Sequence, residues 1–479
     1  MAVELLNPVT ASLLAILCAV FLWTFKKWER KQGSSEKPVP GLKASDPIHG
    51  NKHDIDAAGS LHEFLTNLHK RYGPIASFWM GKELTISIAS PELFKQHAIV
   101  FDRPPQLFIK YQHMFGPQSV QYSNKEKGRR QRQPFDDAYG HQAMAVYYPT
   151  FNDVVGELVE HWSSLSDGET IALKEEMTEM SIKAITQATF GDYFKDESEV
   201  KKLHHCYNMI MLTAEHNVDG SLPEPGTPER AEFDEADSEK DNIIRKMIHH
   251  RRATRSLADR KLFIDELLDS DVPEIQLYSD ALINVVGGFH NVASMLIFAL
   301  YHLGVHQDMQ EKAYREICDV LGDDDVDPYA YSQLTYLRQI IDETLRRNLV
   351  VPWAARFDQD KDTTLGGYVI KEKTPVIHAL GVVLMDENIW PEPERFDPDR
   401  FAPGNTRSRP LLSNVPFGFA GGRKCPGFRY TLADGVTTLA IILRKFKVTT
   451  VPNQTVKRAY GLITLPEDEI YVTVEPRAN

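Results

Sequence analysis

Apolar residues recur at helical spacing through most of the chain, interrupted by short segments in which apolar and polar residues alternate. Between Gly59 and Gly81, Leu61, Phe64, Leu65 and Leu68 share one helical face, a Gly-Pro pair breaks the helix, and a strand follows. Thr85 to Ala89 predicts a second short strand, and Pro91 opens another helix. From Phe151 to His216 the pattern is helical; residues 217 to 230 form a loop rich in proline and glycine, and a charged helix ending in His249-His250-Arg251-Arg252 comes next. The longest apolar helix runs from Leu277 to Val305, and a second apolar helical stretch runs from Tyr430 to Leu443. Alternation around Gly367 to Ile370 and Pro375 to Leu380 predicts strands of a small sheet. Lys447 to Val474 predicts a hairpin with its loop at Tyr460 to Leu465. The expectation is a mainly α protein with a small β region.

One apolar run is of a different kind. Val9 to Phe25 carries no charge and is followed at once by Lys26, Lys27, Arg30 and Lys31. About 20 apolar residues span a bilayer, and a basic cluster after the apolar core, rather than before it, argues against a cleaved signal peptide. Basic residues stay on the cytoplasmic side. Residues 1–28 are therefore expected to be a single N-terminal transmembrane helix, residues 29–50 a charged hinge containing Pro38-Val39-Pro40-Gly41, and residues 51–479 one large cytosolic domain.

The 479 residues are 42% hydrophobic and 25% charged, as in a globular protein, and the formal charge of -13 argues against nucleic acid as a partner. Cysteines stand only at 18, 206, 318 and 425, too far apart for a disulfide framework, which fits a reducing compartment. His204-His205, His249-His250, His302 with His306, and the lone His290 invite a metal reading. No glutamate follows His302 in the H-E-x-x-H manner, and surface or internally satisfied histidines account better for these positions.

Cys425 stands apart. It lies in Pro416 to Arg429, PFGFAGGRKCPGFR, where Arg423 and Lys424 supply charge and Gly418, Gly421, Gly422 and Gly427 let the backbone crowd one sulfur. Positive neighbours, backbone N–H groups and the start of a helix all lower a thiol's pKa. Such a sulfur can be a nucleophile, an axial metal ligand or a buried structural thiol. No local pattern pairs it with a histidine, and no C-x-x-C pair points to zinc. Haem needs a single thiolate, which pushes electron density onto iron and favours O–O cleavage.

The loop resembles the cysteine loop of the cytochrome P-450 family of haem-thiolate monooxygenases, F-G-x-G-x-R-x-C-x-G, with Gly421, Arg423, Cys425 and Gly427 in their slots. Phe417-Gly418 sit one residue early, so either the loop carries an insertion or Phe419 packs over the sulfur. Upstream, Gly59 to Gly81 looks closest to the orphan animal members numbered as family twenty. In this family the Leu277–Val305 segment is the distal helix, with the form Ala/Gly-Gly-x-acid-Thr-Thr, whose acid and alcohol relay protons during oxygen activation. Gly287 and Gly288 match; the acid slot holds His290 and the first threonine slot Asn291. Paired glycines cost a helix about 1 kcal/mol each, which asks for close approach of a flat cofactor or of another helix. Histidine carries protons near neutral pH; asparagine hydrogen-bonds but is a poor proton donor.

The resemblance assigns further residues. The family's Trp-x-x-x-Arg pair, whose arginine meets a haem propionate, falls on the basic run Lys125 to Arg132, which has no tryptophan; Arg129, Arg130 and Arg132 are all candidates. Arg356 is the second propionate candidate. Glu343, Arg346 and Arg400, set in Glu343-Thr-Leu-Arg346 and in the segment from Trp390 to Phe401, form a buried ion network behind the haem. Haem b is expected between the distal helix and the Cys425 loop, with Gly288, Phe417, Phe419, Arg423 and Gly427 contributing to its binding, Cys425 as iron ligand, and His290 and Asn291 as catalytic candidates. The implied protein faces the cytosol from the endoplasmic reticulum membrane, in contact with lipid. It inserts one oxygen atom into a small apolar substrate with electrons from NADPH through a reductase, and cytochrome b5 is a further candidate donor. Two other readings stay open: an enzyme that rearranges hydroperoxides without a reductase, and a haem-binding sensor or carrier.

Overall fold

The computed structural model describes residues 37–216, 221–257, 260–419 and 421–477. The expected anchor (1–28), the first part of the hinge (29–36) and residues 217–220 of the expected loop lie outside the described residues.

The described part of the hinge segment is tied to the body of the protein. Ser77 N–H donates to Pro40 O (2.8 Å) and Leu42 N–H to Ser77 O (2.9 Å). A Cβ at Gly41 would lie 2.0 Å from the Ser77 carbonyl oxygen, so this docking requires glycine. Helix α1 (Leu61–Tyr72) is capped by Ser60, whose Oγ accepts from Glu63 N–H and donates to the Glu63 carboxylate. It buries Phe64, Leu65 and Leu68, and Gly73 at φ +88 ends it. Strands β1 (Ile75–Met80) and β2 (Glu83–Ile88) pair antiparallel, and α2 (Pro91–His97) follows with Ser90 as cap and proline at its first turn.

Two strands from far along the chain complete this sheet. β3 (Ala354–Arg356) and β4 (Val376–His378) give the order β1-β2-β4-β3, with Ile86 opposite Val376 and Ala355 opposite Ile377. The expected strand to Leu380 stops at His378, because the short helix Leu380–Leu384 begins there and seats Gly381 against the His62 ring.

The rest is mostly helical. The basic run opens α3 (Lys125–Ala138), and α4 (Leu173–Phe190) and α5 (Glu197–His216) occupy the region read as helical. Helix α6 (Glu274–Val305) is the core of the molecule, buried on nearly every face from Leu277 to Leu303. Its mean hydropathy of 1.6 would suit a membrane span, but 78% of that stretch is buried inside the protein, as in a core helix. Helix α7 (Thr335–Arg347) and α8 (Phe428–Lys445) pack on it, Met295 lying against Gly435.

The C-terminal β region differs from one simple hairpin. Phe446–Thr450 pairs with Tyr471–Pro476, and a second hairpin, β5 (Arg458–Tyr460) with β6 (Thr464–Pro466), is inserted between them. Pro452 and Asn453, the latter at φ +65, interrupt the outer strand and start this insertion.

Candidate active site

The cysteine loop is folded around its own backbone. Cys425 N–H donates to Phe417 O (3.0 Å), Gly418 N–H to Val415 O (3.0 Å), and Gly427 N–H points at the Cys425 sulfur. Gly418 at φ +72 absorbs the extra residue in a turn that other side chains would strain. Phe417 packs toward Phe428, with ring centroids 6.1 Å apart, whereas Phe419 stacks on Phe94 and His378, each at 4.6 Å. Phe419 thus belongs to the packing beside β4. Charge around the thiol acts in the expected direction but is outweighed. Burial pushes the Cys425 thiol up, and the opposing pull of Arg132, Gly427 N–H, Arg103 and Lys424 does not reverse it.

Among the described residues no group of three or more His, Cys, Asp or Glu is placed to hold a metal ion. His302 bonds Asn348 (2.8 Å) and stacks on Phe396, His204 bonds Asn208, and His250 meets Asp192. Cys425 thus stands without further protein donors among the described residues, which suits a metal that brings its own ligands, as in a macrocycle.

Beside the loop lies a cluster of arginines. The three candidates on α3 are now distinct: Arg132 is buried and donates to Lys424 O (2.6 Å) and Asp136 (2.9 Å), while Arg129 and Arg130 are exposed, Arg129 lying over the Phe101 ring. Buried Arg356 donates to Arg423 O (3.3 Å) and Ala355 O (2.6 Å), and its Nε has no partner. Buried Arg423 donates to Val120 O (2.9 Å), Phe101 O and Ser123 O. Arg103, which sequence reasoning missed, joins them and donates to Gln121. Its only signal was a lone arginine ahead of two prolines, in Phe101-Asp102-Arg103-Pro104-Pro105.

Burial and mutual repulsion pull Arg356 well below its usual range, Arg423 to about 8 and Arg103 to about 10. Guanidinium does not give up its proton in proteins, so these depressions measure how strongly the cluster calls for anions. His97 adds a further buried group: its Nδ1 lies 2.8 Å from His378 Nε2, and its Nε2 has no partner. One sulfur next to a cluster of four arginines, of which Arg356 keeps an unpartnered Nε, fits haem, whose iron would take the thiolate and whose two propionates would take the cations.

On the distal side the glycine pair divides its work. A Cβ at Gly288 would lie 2.3 Å from Ile185 Cγ1, so Gly288 lets α6 pack against α4. Gly287 meets nothing within 4 Å and is accessible. Asn291 donates its amide to Gly287 O (2.8 Å), and its Oδ1 is buried without a partner. His290 is buried against Phe289, its Nδ1 also unpartnered; burial and neighbouring His204 hold its pKa near about 3, which keeps it neutral through the physiological range.

Behind the loop, Arg346 and Glu343 form a two-bond pair (2.7 and 2.8 Å), both fully buried. Arg346 also donates to Leu384 O and Pro393 O, Asp397 N–H donates to Glu343, and Arg400 Nε stands 3.4 Å from Glu343. Trp390 lies buried beside them, with Arg346 and Arg409 over its ring.

Residues 40–474 match the family model "Cytochrome P450". The chain is 30% identical over 441 residues to cytochrome P450 20A1 of Rattus norvegicus, covering 92% of this chain and 93% of that one. It is 26% identical over 354 residues to the bifunctional cytochrome P450/NADPH--P450 reductase 2 of Bacillus subtilis, covering 71% of this chain and 33% of that longer protein. Among solved structures, the haem domain of cytochrome P450DA superposes with a TM-score of 0.80 at 20% identity, over 92% of this chain and 98% of that one.

Proposed function

The chain belongs to the cytochrome P450 family, and on that premise we propose that it is a haem-thiolate monooxygenase inserting one oxygen atom from O2 into a small apolar molecule. The observation that carries this reading is Cys425, held by Phe417 O and Gly427 N–H beside four arginines of which Arg356 keeps an unpartnered buried Nε. Cys425 would ligate the iron of haem b; Arg103, Arg132, Arg356 and Arg423, with His97, would hold the propionates. Haem, when bound, supplies the oxygen chemistry. The protein's own part is to fix the group, keep one face dry and present Gly287 and Asn291 above it.

Electrons would come from NADPH through a reductase, with cytochrome b5 as a second donor. The fused reductase in the name of the Bacillus subtilis relative supports this, and Lys424, half-buried beside the sulfur loop, offers positive charge on the side where a donor would dock. Placement in the endoplasmic reticulum membrane, by an anchor at residues 1–28 and a hinge to residue 50 ahead of the catalytic domain, rests on the apolar run and its trailing basic cluster. Lipid would then be a standing neighbour.

A second reading has one observation in its favour. Neither His290, held neutral, nor Asn291, an amide and so a poor proton donor, offers a ready proton. An enzyme that rearranges a hydroperoxide needs none, nor a reductase; a sensor or carrier would form no product at all. Product formation with and without reductase separates the three.

The deciding measurement is the ferrous carbon-monoxide difference spectrum of the protein and of Cys425→Ser. A strongly red-shifted, thiolate-type Soret band that the variant loses is expected. A histidine-type band, or no haem in the parent, overturns the proposal.

A further inference from the structure

Two segments contact the long helix α6 on either side of its glycine turn and meet at Glu215. At one end, Gly116 packs against Ser279, where a Cβ would come within 2.6 Å, and the chain before it runs back through Phe115 to Tyr111. At the other, Ser294 Oγ donates to Thr464 O (2.5 Å) and so holds the β5–β6 hairpin, whose tip is Gly461 and Leu462. Ser279 and Ser294 are about 22 Å apart along the helix axis. Gly287 and Asn291 lie between them.

One side chain joins the two arms. Glu215, in the last turn of α5, accepts from Tyr111 O–H (3.1 Å) and from Leu462 N–H (2.9 Å), both at Oε1. The contact is tight: a Cβ at Gly461 would lie 3.1–3.2 Å from the Glu215 carboxylate, so glycine at the tip belongs to the same joint. Tyr111 is buried, Lys110 lies over its ring at 4.8 Å, and Glu215 is the cation's opposing charge. The far flank of the hairpin is pinned by Tyr460 against His62 (4.5 Å). Ser279, the 111–116 segment, Glu215, the hairpin tip and Ser294 are therefore linked one to the next beside α6, and Glu215 is the member that belongs to neither arm.

We propose that Glu215 is the latch of the pocket mouth: by holding Tyr111 and Leu462 together it sets the size of molecule that reaches Gly287 and Asn291. Hydrogen bonds to an ionised carboxylate are about twice as strong as neutral ones, so two on one oxygen keep the arms joined most of the time. Parting the arms breaks at least one of these bonds, and loss of the carboxylate frees both. The proposal rests on the haem reading only in that the adjacent face of α6 is taken as the substrate side.

The test uses the full-length holoprotein, Glu215→Ala, Glu215→Gln and Tyr111→Phe, with imidazole as a small iron-binding probe and tritylimidazole as a bulky one. Association is followed by the shift of the Soret band, and backbone hydrogen exchange is followed over residues 105–116 and 458–466. Loss of the latch should speed tritylimidazole association by about tenfold, the factor expected for losing a charge-assisted bond, and leave imidazole nearly unchanged. Exchange should rise in both segments. Glu215→Gln, whose amide oxygen still accepts from Leu462 N–H, and Tyr111→Phe, which deletes one bond, should fall between. Equal rates for both probes in every variant, with exchange unchanged, overturn the latch. If Glu215→Ala fails to fold, Tyr111→Phe carries the same two readouts. If neither probe shifts the spectrum of the parent, it is the haem reading that fails, and exchange alone then decides the latch.

Discussion

Asn291 donates its side-chain amide to the carbonyl of Gly287, one turn earlier in α6, at 2.8 Å, and keeps its Oδ1 buried without a partner. One N–H of this amide is committed to the helix; a second N–H and the buried acceptor remain, and neither gives up a proton readily. A hydroxyl in its place keeps a bond to Gly287 O within reach and adds a rotatable proton. In Asn291→Thr, reconstituted with reductase and NADPH, less hydrogen peroxide should be released per NADPH consumed than in the parent, by a factor of about two or more, because proton supply contributes about 10²-fold or more where it limits. Equal peroxide yields would show that Asn291 does not govern proton delivery.

The arginines are expected to separate by burial. Arg132→Ala and Arg356→Ala remove buried cations of the arginine cluster proposed to hold the propionates, and charge-assisted bonds of this kind contribute about 1.5–3 kcal/mol each, so haem should transfer to apomyoglobin about tenfold faster or more. Exposed Arg130→Ala should release haem at the parent rate. Faster loss from Arg130→Ala than from Arg132→Ala would reverse the assignment.

The sequence made the helical frame legible because α1, α6 and α8 carry long periodic apolar faces, and the sulfur loop legible because glycine, arginine and cysteine fell at one spacing. It did not separate Arg129, Arg130 and Arg132, since neighbours on a charged helix differ only in which face a distant loop covers; Lys424 O and Arg423 supply that cover nearly 300 residues later. Arg103 was missed for the same reason: a single basic residue in a loop carries no periodic signal. The charges that lower the Cys425 thiol were legible, but the burial that outweighs them was not, because a sequence displays charges and conceals burial.

Gly288 offers a sharper trial of what the glycine pair is for. Gly288→Ala puts a methyl 2.3 Å from Ile185 Cγ1, and overpacking of this kind costs about 1–3 kcal/mol. Shortening the neighbour in Gly288→Ala/Ile185→Ala should restore the thermal midpoint most of the way, a positive coupling between residues in contact. If the double variant is no more stable than Gly288→Ala, the glycine is required by something other than α4.

Glu343→Gln should be severe. It leaves Arg346 fully buried with a neutral partner and removes the opposing charge from Arg400, 3.4 Å away. Breaking a buried pair by deleting one charge costs about 3–5 kcal/mol, a large part of the stability of a typical domain. Soluble yield and denaturant midpoint should both collapse, while Glu392→Gln, at an exposed pair with Arg395, should change neither.

Acid should unfold the protein early, and the direction follows from opposing groups. Burial holds His62, His69 and His97 at about 4 and His290 and His302 at about 3, below the unfolded value of 6.5. Between 6.5 and those values the unfolded chain takes up protons that the folded one refuses, so their contribution to stability is lost as pH falls. Asp280 and Asp434, raised by burial to about 7, work in the other direction: folded, they hold protons that the unfolded chain releases above 3.8, so their contribution is lost as pH rises toward 7. His204 and His378, lowered by burial, add to the histidines, and Asp342 and Glu343, raised by burial, add to the carboxylates; the histidines remain the larger group, and stability should fall from about pH 6.5 downward. His290→Leu removes one histidine from that sum and should flatten the slope of unfolding free energy by about 1.4 kcal/mol per pH unit, read from denaturant midpoints at about pH 7, 6 and 5. An unaltered slope would mean that His290 already carries its proton in the folded protein, and would return it to the list of groups able to deliver one.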